Sequence, residues 1–266
     1  MTDHRTDDHA DDHAEVAGAT GDVGDQPRSV RIEGLKGLEA TPERRAARRL
    51  AAAMREVTAL MVSTTADVDQ LSAAADDFEA LAAQLRGFPG GHTYEGFAEA
   101  ANAGPAVAAY AAARDTDDPE RFAFFDFSPL IGLSNPLSPP IVMDHEEGTD
   151  RAVVARVTFG PAFEGPPGCV HGGFVAAAFD EVLGATQSLS GTQGMTAHLD
   201  VDYRSPTPLG VPLVMRGWLD RTEGRKIWAR AELRHGDTLC AESEALFIAF
   251  APGGFQRLLE ERDIVG

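Results

Sequence analysis

The sequence predicts an α+β fold, an antiparallel sheet wrapped around a central helix, with a helical hairpin extension on its N-terminal side. Three observations predict it. Five strand-like runs occupy the C-terminal half, at 151–159, 195–203, 211–220, 226–234 and 239–250, each β-branched or alternating between apolar and polar residues. Between the first two lies 174–189, apolar almost all round, which marks a buried helix. Upstream, 41–86 repeats apolar residues at helical spacing, with a break at Ser63-Thr64-Thr65.

The elements follow in chain order. Residues 1–26 hold eight acids, one base and no Leu, Ile or aromatic residue. Such a segment buries too little apolar surface to offset its ordering entropy, so 1–40 is expected to be a disordered acidic tail. His4, His9 and His13 within it are read as solvated. Thr41-Pro42-Glu43 is a helix start: a capping hydroxyl, Pro at the first helical position, an acid in the first turn. Leu50, Met54, Val57 and Met61 form one amphipathic stripe, and Val68, Leu71, Phe78 and Leu85 a second, until Gly87 and Pro89 stop it. Arg44, Arg45, Arg48, Arg49 and Arg55 crowd the first helix and are expected to form a solvated face or to face the acidic tail. A short helix is expected at 106–114, completing a helical extension over 41–121.

At Phe122 the composition shifts to Phe, Pro, Val and Ile, which opens the main domain, 122–252. Residues 141–143 add a short strand. Turns at 221–224 and 235–237 join the last three strands into an antiparallel meander. Residues 253–266 are read as a tail or short helix. One sheet covers only part of a helix that is apolar on every side, so dimerisation is expected.

Charge and composition narrow the function. The 266 residues carry 42 acids against 23 Lys plus Arg, a formal charge of −19, which argues against a nucleic acid or an anionic membrane surface as partner. A polyanionic ligand would need a local cationic patch. Cys169 and Cys240 are too few for a disulfide framework and fit a reducing, cytoplasmic setting. No run of 18 apolar residues exists, and the polar N-terminus does not read as a secretory signal.

The chemistry concentrates at 164–181. Glu164-Gly-Pro-Pro-Gly-Cys-Val-His171-Gly172-Gly173 runs straight into the central helix. Glycines at a helix N-terminus let a ligand approach free N–H groups, where aligned peptide dipoles favour developing negative charge. That is the geometry of an oxyanion hole, or simply of a tight strand-to-helix turn. Asp180 and Glu181 are the only acids of the helix; a buried acid must be paired, hydrogen-bonded or functional. On the strand 195–203, alternation groups Thr196, His198, Asp200 and Asp202 on one face and Ala197, Leu199, Val201 and Tyr203 on the other. His198, Asp200 and Asp202 mimic metal spacing but are read as a solvated face. No metal and no cofactor are expected.

HGGFVAAAFDE, with an acid nine residues after the His, resembles the hotdog-fold acyl-CoA thioesterases, most closely the branch of the phenylacetate-pathway thioesterases and the thioesterase superfamily members. MTAHLDVDYRSPTPLG, EGRKIWARAEL and CAESEALFIAF resemble that family's later strands, and FDFSPLIGLSNPLSPPI and FEGPPGCVHGG its entry strand and loop. The resemblance covers about residues 122–250, and 1–121 has no counterpart in it. It implies a hotdog fold, a homodimer or dimer of dimers, and hydrolysis of acyl-CoA, or of acyl-carrier-protein thioesters, within fatty acid metabolism. Position by position it implies Asp180 as general base or nucleophile and Thr196 as the hydroxyl that orients it. Gly172 would polarise the carbonyl, with His171 and Gly173 shaping the turn. Phe174 and Phe179 would border the acyl pocket. Arg204, Ser205 and Pro206, with Arg225 and Lys226, would hold the CoA phosphates. A hotdog hydratase or dehydratase and a non-catalytic acyl-CoA sensor are the competing readings.

Gly172 and Asp180 are eight residues apart on one helix, about 12 Å along its axis, so one thioester carbonyl cannot touch both. Two antiparallel helices across a two-fold axis would solve this.

Overall fold

A computed structural model of the chain describes residues 42–88, 126–192 and 194–250. The expected acidic tail, the helix at 106–114, the boundary at 122 and the C-terminal segment lie outside the described residues. Two helices, α1 (Pro42–Met61) and α2 (Val68–Arg86), precede a six-stranded sheet and a third helix, α3 (Gly172–Gln187). The strands are β1 (Val142–His145), β2 (Ala152–Val157), β3 (Gly194–Tyr203), β4 (Leu213–Glu223), β5 (Lys226–His235) and β6 (Thr238–Ala249). Their order is β1-β2-β4-β5-β6-β3, every pair antiparallel. β4, β5 and β6 form the expected meander; β3 crosses to the far edge beside β6. This is the α+β hotdog arrangement.

α3 lies across one face of the sheet. Its Val175, Ala178, Phe179, Val182 and Leu183 are buried against residues such as Met215, Ala231 and Phe247. Each such large side chain contributes about 1.5–3 kcal/mol by leaving water. The helix passes close enough to β4 that a Cβ at Gly217 would overlap Thr186 Oγ1. The other side of the first two turns is open: Gly173 and Phe174 are exposed, and Ala176, Ala177 and Asp180 half-buried. The helix is therefore covered all round only towards its C-terminal half.

Arg45 and Arg49 of α1 are exposed, but Arg44, Arg48 and Arg55 are not part of a solvated face. Arg48 grips Asp126 with two bonds, Nη2 to Oδ1 at 2.6 Å and Nε to Oδ2 at 2.9 Å. Arg44 Nε stands 3.3 Å from the same Oδ2, and Asp126 is fully buried. Arg55 donates to the carbonyls of Leu133 and Asn135 at 3.1 and 2.8 Å. Arg44, Arg48, Ala51 and Arg55 fall at i, i+4, i+7 and i+11, one face of the helix. That face docks on the segment 126–135 that leads into β1. The partner carboxylate lies 78 residues downstream of Arg48, where no local pattern reveals it. α2 begins with a capping box in which Gln70 N–H donates to Asp67 Oδ1 and Asp67 N–H to Gln70 Oε1.

β3 departs from simple alternation. Thr196 pairs with Phe247 and His198 with Leu246, so Ala197 is an extra residue in a β-bulge. Phe247 is buried under α3, and Thr196 shares its face. The bulge thus puts Thr196 on the helix side with Leu199, Val201 and Tyr203. His198, Asp200 and Asp202 remain on the outer face, without Thr196. The reading that grouped these four together is corrected by one inserted residue.

Candidate active site

The loop ahead of α3 closes on itself. Glu164 Oε1 accepts from Gly168 N–H at 2.7 Å, and Gly165 N–H donates to Cys169 O at 2.9 Å. Gly168 has φ +74°, a conformation glycine adopts without strain. His171 N–H donates to Phe163 O at 2.9 Å, bringing the chain into the helix. His171 is the N-cap, and its Nδ1 accepts from Gly173 N–H at 3.0 Å. Phe174 and Val175 N–H both donate to His171 O, at 2.9 and 3.3 Å. Gly172 N–H alone in this first turn donates to no acceptor among the described residues. A free N–H at the positive end of a helix dipole suits a developing oxyanion.

Two turns on, Asp180 is half-buried, and Thr196 Oγ1 donates to its Oδ1 at 2.8 Å. Carboxylate and hydroxyl meet within one chain, from α3 and from the bulge of β3. Glu181, its neighbour, is 7% exposed and belongs to the interior. Asp180 and Gly172 are not brought together: the helix between them is regular, and its rise separates them by about 12 Å.

Aromatic rings border the open face. Phe174 meets Phe163 edge-on, centroids 4.8 Å apart, and Phe163 meets Phe159 in the same way at 5.5 Å. Phe179, expected beside Phe174, is fully buried in the core and reaches no open surface of the chain. Its position in α3, between Ala178 and Asp180, turns it towards the sheet.

The basic candidates are dispersed. Arg204 is engaged by Glu242 and Asp202, whose carboxylates hold its guanidinium above its ordinary range, the hydrogen bond to Glu242 foremost. Ser205 Oγ donates to Leu239 O at 2.6 Å, and Pro206 is exposed. Arg225 Nε donates to Ala249 O at 2.8 Å, and Lys226 Nζ lies 5.9 Å from the Trp228 ring centroid. Arg204 N–H bonds Cys240 O at one end of β6, while Lys226 pairs with Ile248 at the other. That is roughly 26 Å at 3.3 Å per residue, so no single cationic patch forms within one chain.

Three contributors escaped the sequence reading. Phe163 meets Phe174 edge-on beside the helix start. Ala197 makes the bulge. Tyr203, taken as an apolar-face residue, donates from Oη to Gly172 O at 2.7 Å. The last carried a signal, a phenol closing an otherwise apolar alternation. Among the described residues no three His, Cys, Asp or Glu gather as a metal cage, and no helix is long and apolar enough to cross a membrane.

This sheet, its helix and the glycine pair at the helix start define the class, and residues 167–242 match the model of the thioesterase superfamily. Residues 126–250 thus have the hotdog fold, and the stretch 167–242 within them is similar to the thioesterase superfamily. Acyl-coenzyme A thioesterase THEM4 of Xenopus laevis is 38% identical over 105 residues, 39% of this chain and 47% of that protein. THEM4 of Bos taurus is 39% identical over 105 residues, 39% and 43% of the two chains. The chain spans less than half the length of these curated relatives. A thioesterase superfamily protein of known crystal structure superposes with a TM-score of 0.59 at 29% identity, covering 76% of this chain and 94% of that one. That share exceeds what residues 126–266 supply, so the likeness reaches upstream of residue 126.

Proposed function

We propose that the chain hydrolyses acyl-CoA thioesters to a free acid and CoA. The observation that carries this is one helix bearing an unused N–H at Gly172 and a hydroxyl-held carboxylate at Asp180. The thioesterase names of the relatives agree with it. Gly172 N–H donates to the thioester carbonyl. Asp180 removes a proton from water as the water oxygen adds to the carbonyl carbon, and Thr196 holds the carboxylate in line. The tetrahedral oxyanion collapses, the C–S bond breaks, and the CoA thiolate leaves and takes up a proton. Direct attack by Asp180, giving an anhydride that water cleaves, uses the same groups.

The 12 Å between the two groups makes the reading one of a homodimer. A second copy with α3 antiparallel across a two-fold axis sets the Gly172 of each protomer against the Asp180 of the other. β3 is a sheet edge with no further strand beside it among the described residues, which supports pairing there. Antiparallel β3 edges also bring the Arg204 end of one protomer towards the Arg225–Lys226 hairpin of the other, a composite patch for CoA phosphates. His171 and Gly173 shape the turn, and Phe174 with Phe163 borders the acyl chain. The same reading keeps 1–40 as tail, 41–121 as helical extension, 122–252 as thioesterase domain and 253–266 as C-terminal segment. It places the enzyme in the cytoplasm and in fatty acid metabolism, with carrier-protein thioesters as the other substrate.

Release of free thiol from a panel of acyl-CoAs tests this. Asp180→Asn is expected to lose about 100-fold or more in turnover while retaining substrate binding. Equal rates would remove Asp180 from the mechanism. No thiol release by the wild-type chain at any acyl length would leave the acyl-CoA sensor. Sedimentation at monomer mass with full activity would end the composite site.

A further inference from the structure

We propose that Tyr203 is a positioning residue for the reacting carbonyl, acting through the backbone of Gly172; this rests on the thioesterase reading. The peptide joining Gly172 to Gly173 is gripped at both ends. Its carbonyl accepts from Tyr203 Oη at 2.7 Å, and its N–H donates to His171 Nδ1 at 3.0 Å. The preceding peptide, joining His171 to Gly172, has its carbonyl bonded by the N–H groups of Phe174 and Val175. Of the four polar groups in these two peptides, three are tied, and the fourth is the Gly172 N–H that points to the oxyanion.

Such restraint matters at a glycine. With no Cβ, Gly172 has the widest backbone freedom of any residue type, so a contact from outside the helix adds to what holds this first turn. The Tyr203 ring does this sterically as well. A Cβ built on Gly172 would stand 3.3 Å from Tyr203 Oη and 3.4 Å from Cε1 and Cζ, so the ring already fills the space beside the Cα. Tyr203 and Thr196 lie on the same face of β3, seven residues apart. One strand thereby fixes both reactive points of α3, the carboxylate through Thr196 and the N–H through Tyr203.

The test uses Tyr203→Phe in the full chain, which keeps the ring against Gly172 and removes only the hydroxyl. kcat is expected to fall about 5- to 10-fold, the scale of one neutral hydrogen bond, with KM changed by less than about twofold. A spectroscopic readout separates positioning from general loosening. The probe is the ketone analogue of acyl-CoA, with CH2 in place of sulfur, and its carbonyl stretch is followed by infrared difference spectroscopy. Wild type lowers the frequency on binding; Tyr203→Phe shifts it back towards the free value, whereas Thr196→Val leaves it in place. Normal turnover by wild type, with Tyr203→Phe equally fast or with its band unmoved, overturns the inference and leaves the thioesterase reading standing. A wild-type chain that neither releases thiol nor shifts the carbonyl band overturns both.

Discussion

Replacing Asp126 by Ala is expected to loosen α1 from the sheet domain. Asp126 is fully buried, Arg44 is 5% exposed, and the Arg48 side chain keeps 23% of its surface in water. Truncating the carboxylate removes the one partner that both guanidiniums share. Removing one partner of a buried ion pair costs about 3–5 kcal/mol, and the lower end applies because Arg48 reaches solvent. At about 2–4 °C per kcal/mol, Tm falls by about 6–12 °C. Thermal denaturation followed by circular dichroism reads the loss, and amide hydrogen exchange across 42–61 shows where it falls. The triple variant Arg44→Met, Arg48→Met, Asp126→Leu removes the three charges of this contact together and is expected to recover most of the stability. An Asp126→Ala chain that melts with wild type and keeps its protection in α1 would refute the docking.

Thr196→Val removes the hydrogen bond to Asp180 at nearly constant volume. It is expected to lower kcat about tenfold with Tm nearly unchanged, measured by thiol release; undiminished kcat would take the hydroxyl out of the mechanism. Glu146 accepts from Arg216 at 2.7 and 2.8 Å, and that hydrogen bond holds its carboxyl below the usual carboxylate range. A folded-state value below the unfolded one stabilises above the unfolded pKa, about 4.3, and that contribution disappears as pH falls through the folded value. The pair is well exposed, so Glu146→Gln should cost at most about 0.5 kcal/mol at neutral pH and nothing once the pH has fallen below the folded-state value, read by urea titration. An equal cost at both pH values would show that the effect is not ionic.

The sheet and its helix were legible because period carries them. The runs at 211–220, 226–234 and 239–250 became β4, β5 and β6, displaced by a few residues at their ends. The buried helix was visible because Val175, Phe179, Val182 and Leu183 leave no polar stripe. Asp180 and Gly172 could be named because an acid in an apolar helix and a glycine pair at its start are local anomalies. What failed was non-local or depended on counting. Alternation assumes two residues per repeat, so the single extra residue at Ala197 misassigned the face of Thr196. Arg44 and Arg48 looked solvated because their counter-charge enters from another part of the chain. Arg204 carried no sign of its neighbour Glu242, which β6 brings beside it from 38 residues downstream. Phe179 looked like pocket because a helix that is apolar all round does not say which side the sheet takes.

The bulge in β3 has a consequence for assembly as well as for chemistry. An edge strand offers unpaired backbone groups to any other strand, and here the edge carries exposed Met195 and Tyr203. A regular edge would accept many registers, including slipped and run-on ones that lead to aggregates. An extra residue at a single point bends the strand and increases its twist, so neighbours that fit on one side of Ala197 lose fit on the other. Asp200, Asp202 and Arg204 add charges that must also match. The residue that turns Thr196 towards the carboxylate thus doubles as a register mark, favouring one well-defined companion over open-ended stacking.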